Sequence, residues 1–85
     1  MIVVAGEALI DLVIRPDGSV TAALGGGPFN VARTIARLGG DAAFLGAISD
    51  DRFGSMLADR LVSDGVSLAA APRVSNPTTL AAAEL

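Results

Sequence analysis

Three consecutive glycines pass into the start of a helix at Gly25-Gly26-Gly27-Pro28-Phe29-Asn30-Val31-Ala32, and no other stretch restricts the chain as much. Glycine lets the backbone take positive φ and lets another group approach main-chain N–H with no Cβ in the way. Pro28 suits the first helical turn, where its missing N–H costs nothing. The unpaired N–H groups of such a helix start carry partial positive charge, fit for a phosphate or an array of hydroxyls. Asn30, one turn in, both donates and accepts, as reading a hydroxyl requires. A tight strand-to-helix turn with no ligand has the same local sequence, so the glycines alone leave the function open.

The residue types that are missing narrow the chemistry. Cys, His, Lys, Tyr and Trp do not occur. That excludes, within these residues, thiol and imidazole nucleophiles, Cys/His zinc sites, Schiff-base lysines and a Walker phosphate loop with its lysine. Six arginines against nine acids leave a net charge of −3, which argues against nucleic acid or an anionic membrane as partner. No apolar run nears the roughly 18 residues of a membrane span. The N-terminus has no basic segment before its apolar run, unlike a signal peptide, and the lack of cysteine agrees with the cytoplasm as the expected location. At 85 residues, with 52% of them apolar and a mean hydropathy of +0.61, the chain is more apolar than one small core can hide. Either that apolar surface meets another chain or the chain is a piece of something larger, and the piece is the expectation.

Read in order, Ile2 to Ala5 predicts a strand buried on both faces, as in the centre of a parallel sheet. Glu7 and Asp11 interrupt the following apolar stretch, Ala8 to Ile14. A carboxylate among Leu9, Ile10, Leu12 and Val13 is costly unless it meets a partner, a ligand or solvent on an edge strand. Arg15-Pro16-Asp17-Gly18 is a turn, with Ser19 to Leu24 returning as the second strand of a hairpin. Val31, Ala32, Ile35 and Leu38 recur at helical spacing, Arg33 and Arg37 lie on the opposite, solvated face, and Gly39-Gly40 stops the helix. Ala42 to Ile48 predicts another buried strand. Asp50 is expected to cap a second helix with Phe53, Met56, Leu57 and Leu61 inward and Gly65 at its end; capping is preferred to metal binding for Asp50-Asp51, because two carboxylates are too few for a hard cation. Val66 to Val74 leads into a short strand, Ser75-Asn76-Pro77 turns, and Thr78 to Leu85 begins a last strand that stops abruptly. The order predicts an α/β fold with parallel βαβ units and right-handed crossovers. Strands paired within residues 1 to 85 are expected to leave apolar faces and open edges.

Two function classes fit the glycine turn. One is a Rossmann-like nucleotide- or metabolite-binding module acting as an oligomer, since Gly25-x-Gly27-x-x-Asn30 precedes a helix and Asp50 falls about 20 positions on. Asn30 stands, however, where that fingerprint has its third glycine. The other rests on resemblance. Gly6-Glu7-Ala8-Leu9-Ile10-Asp11-Leu12, the glycine stretch to Ala32, Ala36-Arg37-Leu38-Gly39-Gly40 with Phe44-Leu45-Gly46, Asp50-Asp51-Arg52-Phe53-Gly54 and Pro77-Thr78-Thr79-Leu80-Ala81 occur in that order. Together they resemble the amino-terminal part of a carbohydrate kinase of the ribokinase and fructokinase family, also called PfkB, over nearly the whole chain. Gly27-Pro28-Phe29 is closer to the fructokinase-like members, and Ser49 stands where the family usually has glycine.

The resemblance implies a ribokinase-like fold: a mostly parallel sheet flanked by helices, with a β-hairpin lid at about 12–24, incomplete in this chain, which looks cut after Leu85. Residues 1–85 would be the amino-terminal part of one sugar-kinase domain. It implies that Asp11, Gly26, Gly27 and Asn30 hold the hydroxyls of a sugar or sugar-acid substrate. It further implies ATP as phosphoryl donor with Mg2+, neither bound by these residues, and a homodimer formed through the lids as in some relatives. The family's catalytic base sits in a Gly-Ala-Gly-Asp motif, which residues 1 to 85 lack, so no catalytic residue is assigned here. The chain alone is expected to be inactive.

Overall fold

The computed structural model describes residues 1–85. The strands are β1 (Ile2–Ala5), β2 (Leu9–Ile14), β3 (Val20–Gly25), β4 (Ala42–Leu45), β5 (Ile48–Ser49), β6 (Arg73–Val74) and β7 (Leu80–Glu84); the helices are α1 (Gly27–Arg37) and α2 (Arg52–Ser63). β1 and β4 pair in parallel, Ile2 opposite Ala42, and Ala43 bridges on to Ser67. β5 and β6 form a second parallel pair. A separate three-stranded sheet has the order β3-β2-β7, with β2 antiparallel to β3 and parallel to β7. The α/β character and the parallel units agree with the sequence reading. The hairpin is longer than expected, running from Leu9 to Gly25, and β7 makes it a three-stranded element.

Both helices end where glycine allows it. Gly39, at φ 89°, donates to the Ala36 carbonyl and Gly40 donates to that of Ile35. Gly65, at φ 90°, and Val66 repeat the pattern on Val62 and Leu61. This is the Schellman closure, in which a left-handed residue satisfies the last free carbonyls. In the hairpin turn Gly18 takes φ 86° and donates to Arg15, while the Asp17 carboxylate accepts from the Ser19 N–H.

One apolar cluster joins the parts. Phe29 and Ala32 of α1, Phe44 of β4, Ile48 of β5, and Leu57, Ala58 and Leu61 of α2 meet Val66, Ala8 and Ile10. Ile10 is fully buried although it belongs to the three-stranded sheet, so that sheet is rooted in the same core as the body. The strand period then turns its neighbour Asp11 outward. Arg33 joins the helices: its guanidinium pairs with Asp64 at the end of α2 and lies 5.3 Å from the Phe29 ring centroid. It therefore leaves the solvated face expected of it, whereas Arg37 stays exposed.

Further expectations change, beginning in α1, where Val31 and Leu38 are exposed although they share the spacing of its apolar stripe. β1 is not buried on both faces: Ile2 and Val3 are half exposed, because β1 has only one strand neighbour within these residues. Ala42 to Ile48 is two strands, parted at Gly46-Ala47, where Gly46 packs its bare Cα against the Gly6 carbonyl and the Phe44 ring. Met56 is exposed at the margin of α2, whose buried stripe is Gly54, Leu57, Ala58 and Leu61. No helix is long and apolar enough to cross a membrane.

Candidate functional site

The glycine stretch links the three-stranded sheet to the body, and its three glycines meet different surroundings. A Cβ at Gly25 would collide with Oδ2 of Asp11, so the Asp11 carboxylate lies directly over the Gly25 backbone. The hairpin register makes this possible, setting Asp11 opposite Ala23 and Leu9 opposite Gly25. Gly26 is the N-cap of α1, with φ 107° and ψ 132°, and a Cβ there would lie 2.6 Å from the Glu7 carbonyl oxygen. Both the dihedral and the contact demand glycine. Gly27 faces nothing within 4 Å and has no positive φ. The fold does not require glycine at that position.

The helix start is itself uncapped. No side chain accepts from the first-turn N–H groups, no acid lies in that turn, and Pro28 follows Gly27. Pro28 packs on the bare Cα of Gly6, fixing the helix start against the end of β1. Asn30 donates its N–H to the Gly26 carbonyl, and its own carbonyl accepts from the Thr34 hydroxyl at 2.9 Å. Its side chain is exposed on the first turn. The structure thus brings the Asp11 carboxylate to the glycines and puts Asn30 on the helix turn that they open. A carboxylate, bare peptide N–H groups and a carboxamide suit a polyol, which offers many donors and acceptors and little charge.

A cleft of about 310 Å³ opens beside this arrangement, bounded by Glu7, Ala47, Ser49, Asn76, Thr78 and Thr79 among others. None of Asp11, Gly26, Gly27 or Asn30 lines it. Glu7 is the link, since its carbonyl packs on Gly26 while the residue borders the cleft.

Asp51, rather than Asp50, caps α2. Its Oδ1 accepts the Gly54 N–H at 2.7 Å, and its carboxylate also accepts the Thr78 N–H at 2.8 Å and the Thr78 hydroxyl. These donors, the Thr78 hydroxyl foremost, lower its pKa to about 2. Asp50 is exposed and only its backbone N–H is engaged, by Val74. With Asp51 committed to the helix and to Thr78, the acidic pair has a structural use. Ser49 explains its own departure from glycine: its hydroxyl accepts the Asp51 N–H at 3.1 Å. The signal that could have revealed Thr78 is its β-branched hydroxyl just ahead of a strand, but the partner lies 27 residues back.

An α/β body thus carries a separate three-stranded sheet, with an uncapped helix start at their junction. The profile described as "pfkB family carbohydrate kinase" matches residues 1–85. The chain is 43% identical over 65 residues to a fructokinase of Escherichia coli, covering 76% of this chain and 21% of that one. It is 50% identical over 74 residues to probable fructokinase-4 of Arabidopsis thaliana, covering 79% and 23%. Among solved structures, a fructokinase with bound ATP from Xylella fastidiosa superposes with a TM-score of 0.89 at 37% identity, covering 99% of this chain and 29% of that chain. This chain belongs to the PfkB family of carbohydrate kinases. It spans about a fifth of the length of those two curated relatives.

Proposed function

We propose that the natural protein carrying residues 1–85 transfers the γ-phosphoryl group of ATP to a hydroxyl of a sugar or sugar acid, in the manner of a fructokinase, and that these residues form the acceptor side. Asp11 accepts from sugar hydroxyls, the N–H groups around Gly26 and Gly27 donate to them, and Asn30 does both. The observation that carries this reading is Gly27: the fold leaves open space above it, next to a carboxylate held over Gly25. In the transfer a sugar oxygen bonds to the γ-phosphorus, the bond to the bridging oxygen of ADP breaks, and the hydroxyl proton passes to a base outside residues 1–85. Phosphoryl transfer depends on positioning and on charge neutralisation, and the part assigned to this chain is positioning. ATP with Mg2+ belongs to the remainder of the site, so residues 1–85 alone are inactive. The three-stranded sheet acts as a lid that excludes water, and its exposed face is the surface for a homodimer.

A dinucleotide is the poorer fit, since the strand feeding the glycines is antiparallel to its only neighbour, whereas the dinucleotide turn follows a parallel strand. The test is Asp11→Ala in the natural protein. Losing hydrogen bonds to a carboxylate costs about 1.5–3 kcal/mol, so calorimetry should show fructose affinity, or that of the best sugar in a panel, falling about 10- to 100-fold with ATP affinity unchanged. Unchanged sugar affinity removes Asp11 from the site.

A further inference from the structure

The three-stranded sheet meets the body at three roots. Two are covalent continuations into the site itself: Gly6 to Ala8 leads into β2, and Gly25 to Gly27 leads out of β3. The third, Thr78-Thr79, leads into β7 and is gripped from the side. Asp51 accepts from both the N–H and the hydroxyl of Thr78 while capping α2 through Gly54, and Ser49 holds the Asp51 N–H. We propose that Asp51 and Thr78 form a latch that sets the position of the lid sheet, and with it the Asp11 carboxylate, against the body.

The path from latch to site is short. Thr79, next to Thr78, accepts the Ile10 N–H through its carbonyl at 3.0 Å. Ile10 stands opposite Leu80 and Asp11 opposite Ala81 in the parallel β2–β7 register. Thr78 is thus three residues ahead of the partner of Asp11, on a strand with no side-chain grip elsewhere on the body. The burial pattern shows why one is needed. Every residue of β7 is exposed, so apolar packing does not fix this strand as Ile10 fixes β2. Hydrogen bonds to a carboxylate are the stronger kind and impose direction, which makes them suited to aiming a strand. Asp51 and Thr78 are positioning residues and touch no reacting atom. This inference rests on the sugar site proposed above for its consequence, though not for its geometry.

The test compares Thr78→Val, Thr78→Ser and Asp51→Asn in the natural protein. Val keeps the β-branched shape and the N–H but loses the hydroxyl; Ser restores it; Asn keeps an acceptor for Gly54 but presents an NH2 group towards Thr78. Amide hydrogen exchange would be read at Ile10 and Leu85, whose N–H groups bond to Thr79 and Ile14, and at Gly6 and Phe44 in the body. Thr78→Val and Asp51→Asn should speed exchange at the first pair about tenfold, the worth of one hydrogen bond to a charged group. Exchange at the second pair should stay unchanged, and Thr78→Ser should match the unaltered protein. In steady-state kinetics the two damaging variants should raise KM for the sugar several-fold and leave KM for ATP alone. Equal acceleration at both pairs, no acceleration at either, or an unchanged sugar KM overturns the latch. If the unaltered protein phosphorylates no sugar, the kinase reading alone falls, and the exchange ratios still uphold or overturn the latch.

Discussion

A methyl group added at Gly26 meets the Glu7 carbonyl oxygen at 2.6 Å on a backbone with φ 107°, while one added at Gly27 meets nothing within 4 Å. Gly26→Ala should therefore cost about 1–3 kcal/mol through backbone strain alone, seen as a thermal midpoint lower by several degrees. Gly27→Ala should leave the midpoint unchanged and still weaken sugar binding at least about tenfold, because the methyl occupies the ligand's space rather than the protein's. A Gly27→Ala protein that binds sugar normally would show that the open space has no occupant. Acid offers a third residue-scale expectation. Asp51 has a pKa of about 2 in the folded chain, against about 3.9 unfolded. Its contribution to stability is thus complete above pH 4 and fades as the pH falls towards 2. Denaturant midpoints measured between pH 5 and 2 should fall, and fall less in Asp51→Asn. Some acid sensitivity should survive in that variant, since the Ser19 hydroxyl and the Arg33 guanidinium also lower the pKa values of Asp17 and Asp64.

Helix α2 is aimed by close backbone contact at its first turn, where Gly54 lets the helix settle onto the Ser49 carbonyl. Gly54→Ala would improve helix propensity by about 1 kcal/mol, but the added carbon meets a main-chain oxygen that cannot move aside. The expected result is a net loss of about 1–3 kcal/mol, readable as a lower denaturant midpoint. Elements of this kind are only partly legible in the sequence. The helix ends could be read, because the Schellman closure needs glycine at one place and Gly39 and Gly65 supply it. The Pro16-Asp17-Gly18 turn was legible for a similar local reason. The choice between adjacent acids was not: Asp51 rather than Asp50 caps α2, and the residue that shares its carboxylate, Thr78, is far away in sequence. The placing of Asp11 over Gly25 depends on hairpin register, which periodicity does not specify. Motif resemblance proposes Asp11, Gly26, Gly27 and Asn30 as a site but does not show the contact between Asp11 and Gly25. The exposure of β1 is not legible in its apolar run, which implies cover that these residues do not contain.

Over the whole molecule, cover is the limiting quantity. Only 15 of 85 residues are buried, and the chain measures 44 × 29 × 18 Å, so its thinnest dimension has room for one sheet and one helix layer. Ile2, Val3, Leu45 and Leu80 are each about half exposed on strands, and β1 has one unpaired edge. Exposed apolar strand surface with an open edge is a template for pairing with another chain. The isolated 85-residue chain should therefore associate with itself at micromolar concentrations and brighten a hydrophobic dye, with sedimentation giving a mass above the 8.5 kDa of one copy. A lysine at an exposed position of the open strand should oppose that pairing without disturbing the core, which makes Val3→Lys the informative variant. It should shift the association midpoint to at least about tenfold higher concentration, as burying one charge against apolar surface costs more than about 1.4 kcal/mol. If Val3→Lys associates as strongly as the unaltered chain, the contact lies elsewhere, and the three-stranded sheet with its exposed Leu80 becomes the surface to substitute next.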